Sequence, residues 1–310
     1  MRAAKAAQDR QPNEIVKANE VVEVRPAKAA TLSLASRRVL NLLVQAAAGE
    51  AWQGYRHVIS KKAIRNAHKG NERIGDIIDE LMTTLLVMRY TSPRGKPATL
   101  KAPILSSTSE EDDSTGNVYF QFSDQVRWLF QQSSTYAVLD ARAIRAFESK
   151  YSMALYEIGC QLYRRNNPTV RYSVEDLREV LNVPKGTYKD FAQLRRYVIE
   201  KARSEIDALA DFQMTIELEK DGRRVTGVRL GFWKKDEYGQ DAAAELARKP
   251  REQRRATING SSSVPRPADQ GDLLDALAAG EKRDLPAEPA EPAEPAEQES
   301  DLPIDDEIPY

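Results

Sequence analysis

Apolar positions three and four apart, punctuated by capping and turn residues, divide residues 149–232 into helix, helix, long helix and strand hairpin. Ser149 heads a run in which Tyr151, Ala154, Leu155, Ile158 and Leu162 fall on one stripe, as a helix with one buried face requires. Ser173 to Asp176 is a capping-box pattern, opening a short helix with Leu177, Val180 and Leu181 inward. Asn182, Val183, Pro184, Lys185 and Gly186 read as a turn, and Thr187 to Asp190 as a second capping box. Behind it Phe191, Leu194, Val198, Ala202, Ile206 and Leu209 line one face of a helix about six turns long. Alternating patterns over residues 212–218 and 225–232 flank Asp221-Gly222, a hairpin turn signal. That order of elements is the signature of a winged-helix DNA-binding domain.

The opposite face of the long helix carries Lys189, Gln193, Arg196, Glu200 and Arg203, with Arg195 on its flank and Lys185 in the turn ahead. Tyr188, Lys189 and Gln193 near its start can donate hydrogen bonds into a major groove while the helix amino end faces phosphate. Arg223 and Arg224 fall at the hairpin tip, where a wing meets the sugar-phosphate backbone. A single basic residue on an exposed helix face is more often merely solvated. Five basic groups on one helix and two at the wing tip favour DNA.

Residues 31–122 repeat the layout more loosely. Leu34–Ala48 is a helical pattern stopped by Gly49, residues 60–67 form a short helix, and Asn71 caps a helix over residues 72–84. Ile74, Ile77, Ile78, Leu81 and Met82 face inward on that last helix. Strand patterns follow at residues 85–90, 99–105 and 118–122, enclosing residues 106–116, a loop with Glu110, Glu111, Asp112 and Asp113 that reads as a flexible excursion. This domain's reading helix exposes Asp76, Asp79 and Glu80, which phosphate repels at short range. Lys61, Lys62, Arg65, Lys69 and Arg73 lie earlier and are expected to touch only backbone. Dimerisation, set against a purely structural role, suits this domain better than base reading.

Charge sharpens the division. Residues 261–310 hold 3 basic and 14 acidic groups, whereas residues 1–260 hold 43 basic and 33 acidic ones. A basic body with an acidic tail fits a nucleic-acid binder whose tail acts separately. Cys160, the single cysteine, lies on a predicted buried stripe and excludes an internal disulfide, as suits a reducing cytosol. The most apolar stretch, residues 39–48, is short and interrupted by Asn41 and Gln45, and the amino terminus lacks the apolar region of a signal peptide. A cytoplasmic protein without a membrane span is expected. The two histidines, His57 and His68, do not form a His-apolar-His metal pair, and no phosphate-binding loop or cysteine-histidine cluster occurs. The expectation is therefore a protein that is not an enzyme and uses no cofactor or metal.

Phe147, Glu148, Ser149, Lys150 and Tyr151, followed by Leu155, Tyr156 and Glu157, resemble the interdomain segment of theta-type plasmid replication initiators, the RepA/RepB/RepE-like family. Val174 to Leu177 with Leu181, Tyr188 with Phe191 and Arg196, and Ala202 to Ile206 extend the likeness. Phe122 to Gln125, with Leu129 and Tyr136, resemble the stretch that leaves the first domain, so the likeness runs over about residues 14–235. The resemblance implies two tandem winged helices without enzymatic activity. It also implies monomers that bind directly repeated sites (iterons) at an origin and open adjacent A/T-rich DNA, and dimers, paired through the first domain, that bind an inverted repeat and repress their own gene. A winged-helix transcriptional repressor with no initiation role is the alternative.

The fold expected is α+β and mostly helical: two tandem winged-helix domains with disordered amino- and carboxyl-terminal tails. Its parts are a flexible arm over 1–30, a first domain over 31–135, a connection over 136–148, a second domain over 149–235 and a tail over 236–310. In the tail, Arg248 to Arg251 with Arg254 and Arg255 form a basic run, read as a soluble linker rather than a phosphate contact. The Pro-Ala-Glu repeat of residues 286–297 favours an extended spacer. Gln270, Asp272, Leu273 and Leu274 resemble a sliding-clamp-binding peptide, though a transient amphipathic turn explains them as well. Asp305, Asp306, Ile308, Pro309 and Tyr310 are similar to the tail tip of bacterial single-stranded-DNA-binding proteins. From these segments, host replication proteins such as helicase and primase are the expected partners.

Overall fold

The computed structural model describes residues 3–22, 32–48, 56–68, 70–91 and 94–262. The first half opens with α1 (Ala3–Gln8), β1 (Glu14–Ala18) and a 3-10 turn at Asn19–Val21. Next come α2 (Leu34–Ala48), β2 (His57–Ser60), α3 (Lys61–Ala67) and α4 (Ile74–Thr83). Two hairpins follow, β3 (Leu85–Thr91) with β4 (Pro97–Pro103) and β5 (Leu105–Glu110) with β6 (Asn117–Phe122), and then α5 (Asp124–Gln132), β7 (Tyr136–Asp140) and α6 (Ala141–Ala146). The second half holds α7 (Lys150–Leu162), β8 (Thr169–Ser173), α8 (Val174–Val180) and a long helix. That helix runs as α9 (Phe191–Leu194), a π-turn (Arg195–Glu200) and α10 (Lys201–Leu209). The hairpin β9 (Phe212–Asp221) and β10 (Arg224–Lys234) leads to α11 (Glu237–Arg248) and α12 (Arg251–Ser262).

Each half builds its three-stranded sheet in the same order. The strand after the first helix pairs antiparallel with the far strand of the hairpin, giving β2-β6-β5 and β8-β10-β9. These are two winged helices, the first carrying β3-β4 as an extra hairpin between its reading helix and its sheet. Local chemistry explains the well-read elements. Ser149 accepts from the Tyr151 and Ser152 amides and Ser173 from the Asp176 amide, caps of about 1 kcal/mol each. On α7, Gly159 lets the helix lie against the sheet, since a Cβ there would stand 2.4 Å from the Phe212 ring. Cys160 beside it is buried, and burial pushes its thiol far above the usual range.

One hydrophobic cluster runs through both halves, from Ala3 to Leu246. The 136–148 segment is β7 and α6, packed into this body. A buried polar cluster ties the joint: the Glu157 carboxylate of α7 accepts from Lys17 Nζ of β1 at 3.1 Å, and from Arg37 Nη1 and Asn41 Nδ2 of α2 at 2.9 and 2.6 Å. Burial alone would push the Glu157 carboxyl up, but the two cations and the amide hold it below its ordinary value. No helix among the described residues is long and apolar enough to cross a membrane.

Several expectations are corrected. Over its described residues 3–22, the amino-terminal arm is built in: Ala3, Ala7, Ile15, Val16 and Ala18 are buried, and β1 pairs with β7 from Glu14↔Asp140 to Ala18↔Tyr136. The tail does not begin at 236, because Asp236 caps α11 and residues 237–262 form two helices. Residues 105–110 are a strand paired with β6, which leaves only a short acidic turn of the expected loop. Glu111 orders that turn by accepting from the Asn117 amide and the Tyr119 hydroxyl. The helix expected from Asn71 starts at Ile74 after Arg73, with no side-chain cap.

Candidate nucleic-acid interface

In the second winged helix, the turn between α8 and α9 is held before the reading helix begins. Arg178 of α8 donates to the carbonyls of Thr187 and Tyr188, and Gly186 supplies a φ of +87° that L side chains rarely adopt. Tyr188 itself stands at φ +46°, a conformation costing about 1–3 kcal/mol that its surroundings must hold. Those surroundings are rings: Tyr188 meets Tyr151 edge-on at 6.4 Å and stacks on Tyr197 at 6.0 Å, with Lys150 over Tyr151 and Arg196 over Tyr197. Tyr188 and Lys189 therefore precede the helix instead of opening it. Asp190, not Thr187, is the cap, accepting from the Gln193 amide at 2.7 Å, while the Thr187 hydroxyl donates to the Pro184 carbonyl.

Lys185 and Lys189 ahead of the helix and Gln193 and Arg196 on it are exposed around its amino end, where anions are favoured. Two predicted contacts are otherwise engaged. The π-turn brings residues five apart into line, so Arg195 reaches Glu200 at 3.1 Å. Arg203 lies between Glu200 at 3.9 Å and Asp207 at 3.8 Å, mostly covered. Arg195 and Arg203 are therefore less open to a ligand than Lys189, Gln193 and Arg196. Lys235 closes the other end, donating to the Asp207 and Ala210 carbonyls at 2.6 and 2.7 Å.

The wing is a two-residue turn of Gly222 and Arg223 between the paired residues Asp221 and Arg224. Gly222 at φ +59° occupies the first central position, as a II′ hairpin turn requires. Arg223 and Arg224 are both exposed there.

The first winged helix is arranged differently. Asp76 and Asp79 of α4 are exposed, but Glu80 turns back to accept from the Ser33 amide and the Ser36 hydroxyl at the start of α2. Lys61 is buried, 3.3 Å from Glu110 and donating to the Glu111 carbonyl, which removes it from the backbone contacts. Lys62, Arg65 and Arg73 remain exposed. Lys69 and the tail residues Gln270, Asp272, Leu273, Leu274, Asp305, Asp306, Ile308, Pro309 and Tyr310 lie outside the described residues. Sequence reasoning missed Arg178 and Tyr197 as positioning groups; the tyrosines at 151, 188 and 197 were the one available sign.

Comparison with known proteins agrees with this architecture. The family model described as "Initiator Replication protein, WH1" matches residues 14–160, and that described as "Initiator Rep protein, WH2" matches residues 173–232. No curated protein matches the chain. Among solved structures, a selenomethionine derivative of domains 2 and 3 of RctB shares 10% identity at a TM-score of 0.40, over 76% of this chain and 99% of that one. A second structure of RctB domains 2-3 shares 9% at a TM-score of 0.35, over 72% and 87%. Neither likeness carries weight at such values. The two family models together span both winged helices, from β1 through β10, and on that ground the chain belongs to the initiator Rep protein family.

Proposed function

We propose that this chain is a plasmid replication initiator that acts by binding rather than by catalysis. Its second winged helix reads directly repeated sites at an origin, and several copies side by side open the adjacent A/T-rich duplex. The observation that carries this reading is the convergence, on one domain, of exposed Lys185, Lys189, Gln193 and Arg196 at a helix amino end with Arg223 and Arg224 at a wing tip. A helix in a major groove and a wing on phosphate produce strongly salt-dependent affinity. Lys62, Arg65, Lys69 and Arg73 add backbone contacts from the first domain. That domain also pairs two copies into a dimer that represses its own gene on an inverted repeat.

The acidic tail tip, Asp305 to Tyr310, recruits host replication proteins such as helicase and primase, and Gln270 to Leu274 engage the sliding clamp. Titrating a labelled 301–310 peptide against those proteins tests the tail: binding that survives deletion of Ile308 to Tyr310, or no binding, removes it. Supercoiled origin DNA probed for unpaired bases tests initiation. Opening beside the repeats is expected; binding without opening, with no replication of a test plasmid, would leave a repressor.

A further inference from the structure

Four arginines gather at the joint between the two halves, around two carboxylates. Arg251 Nε and Arg255 Nε of α12 donate to the two oxygens of Glu148 at 2.9 and 2.5 Å. Glu148 lies between α6 and α7, and its amide donates to Glu205 of α10 at 2.9 Å. Arg38 of α2 holds the carbonyls of Ile144, Arg145 and Phe147. Arg254 donates to the Lys249 carbonyl, and its Nε is buried without a hydrogen-bond partner.

The charges here do not balance. Burial lowers the pKa of Arg38, and the nearby guanidinium of Arg254 lowers it further. Burial also pushes the Glu205 carboxyl up, which weakens one of the two negative charges. Glu148 is the firm anion: burial would raise it, but Arg251 and Arg255 hold it below its ordinary value. Residues 251, 254 and 255 share one face of α12 by their three- and four-residue spacing. Glu252, the one acid of that helix, lies about 100° round from Arg251. The Arg251 and Arg255 side chains are 64% and 56% exposed, although each has an ion-pair partner.

Glu148 accepts from two of the four guanidiniums, and Glu205 is the only other carboxylate beside them. The cations therefore outnumber the anions, and a row of phosphates would offset the excess. We propose that Arg251, Arg254 and Arg255, with Arg38, form a third DNA-backbone site at the joint, separate from the amino ends of both reading helices and from both wings. Both family-model matches end before α12. The proposal rests on the DNA-binding reading and adds a sequence-independent contact to it. Glu148 acts as an internal competitor that keeps the site partly neutralised until duplex arrives.

The test uses the full chain and random-sequence duplex DNA, with affinity measured from 50 to 200 mM salt. The double variant Arg251→Gln, Arg255→Gln is expected to lower the salt slope by about two. Glu148→Gln is expected to do the reverse, binding random duplex several-fold tighter than wild type. Thermal unfolding of both variants reports the clamp separately. Unchanged slopes in both variants, with lowered melting temperatures, would mean a clamp only and overturn the site. Wild-type chain that binds no duplex at all overturns the DNA-binding reading with it, so the two failures are distinct.

Discussion

In the first winged helix the reading helix is 10 residues long, turns Asp76 and Asp79 outward, and lends Glu80 to its neighbour as a cap. Its wing turn carries Glu111, Asp112 and Asp113. In the second, the reading helix continues through a π-turn to Leu209, and both its amino end and its wing tip are basic. The sheet order is the same in both. One scaffold thus carries opposite electrostatics at the two positions that would face a polyanion. The core builds the shape, and the few residues at helix start and hairpin tip decide what it can meet.

The largest expected effect concerns what the two halves share. Glu157→Ala leaves Lys17 and Arg37 buried without their carboxylate and should cost about 3–5 kcal/mol in denaturant unfolding. Because the cluster joins β1, α2 and α7, a single shifted transition is expected. Two separated transitions would mean that the halves are independent. The pH dependence has a definite sign: the Glu157 carboxyl is held below its ordinary value, so its contribution is present above the unfolded carboxyl range and lost as pH falls through the folded value. The acid limb of the stability profile should therefore flatten in Glu157→Gln.

Next in size is the contrast between reading helices. Arg196→Ala should weaken binding to the cognate repeat by about 1–3 kcal/mol at matched salt, if it meets a base edge. Asp76→Asn with Asp79→Asn in the first domain should cost nothing in the same assay; a comparable loss there would make both helices readers. Asp190→Ala should cost about 1 kcal/mol of stability, and Thr187→Ala clearly less, because only Asp190 caps the helix. Equal losses would restore Thr187 as the cap. The smallest effect per residue belongs to the wings: Arg223→Ala and Arg224→Ala should each lower the salt slope by about one. Neutralising Asp112 and Asp113 in the other wing should leave that slope unchanged.

Elements whose signals are local were legible in the sequence. The helix at Leu34–Ala48 and the serine caps at 149 and 173 rest on spacing and on one side chain reaching a nearby amide. Features that depend on distant partners were not. Strand β1 pairs with a segment more than a hundred residues away, and Lys17 looks like a surface lysine until Glu157 is seen beside it. Ser106 to Ser109 carry no apolar alternation, so their strand comes from pairing with β6 alone. The π-turn over residues 195–200 leaves no mark on the inward stripe of Leu194, Val198, Ala202, Ile206 and Leu209, yet it brings Arg195 within 3.1 Å of Glu200. In α11 only Ala243 and Leu246 are buried, too few to announce a helix by pattern.

The buried Cys160 has a practical consequence. It is the lone thiol, set in the seam where α7 lines a cavity with Glu14, Val138, Leu139 and Asp140 of the first half, with its ionisation suppressed by burial. Thiolate is the form that attacks alkylating reagents, so they must wait for that seam to part. Labelling speed is then a built-in stopwatch for how often the second domain loosens from its neighbour, and running it with and without origin DNA would time any rearrangement without a single added probe.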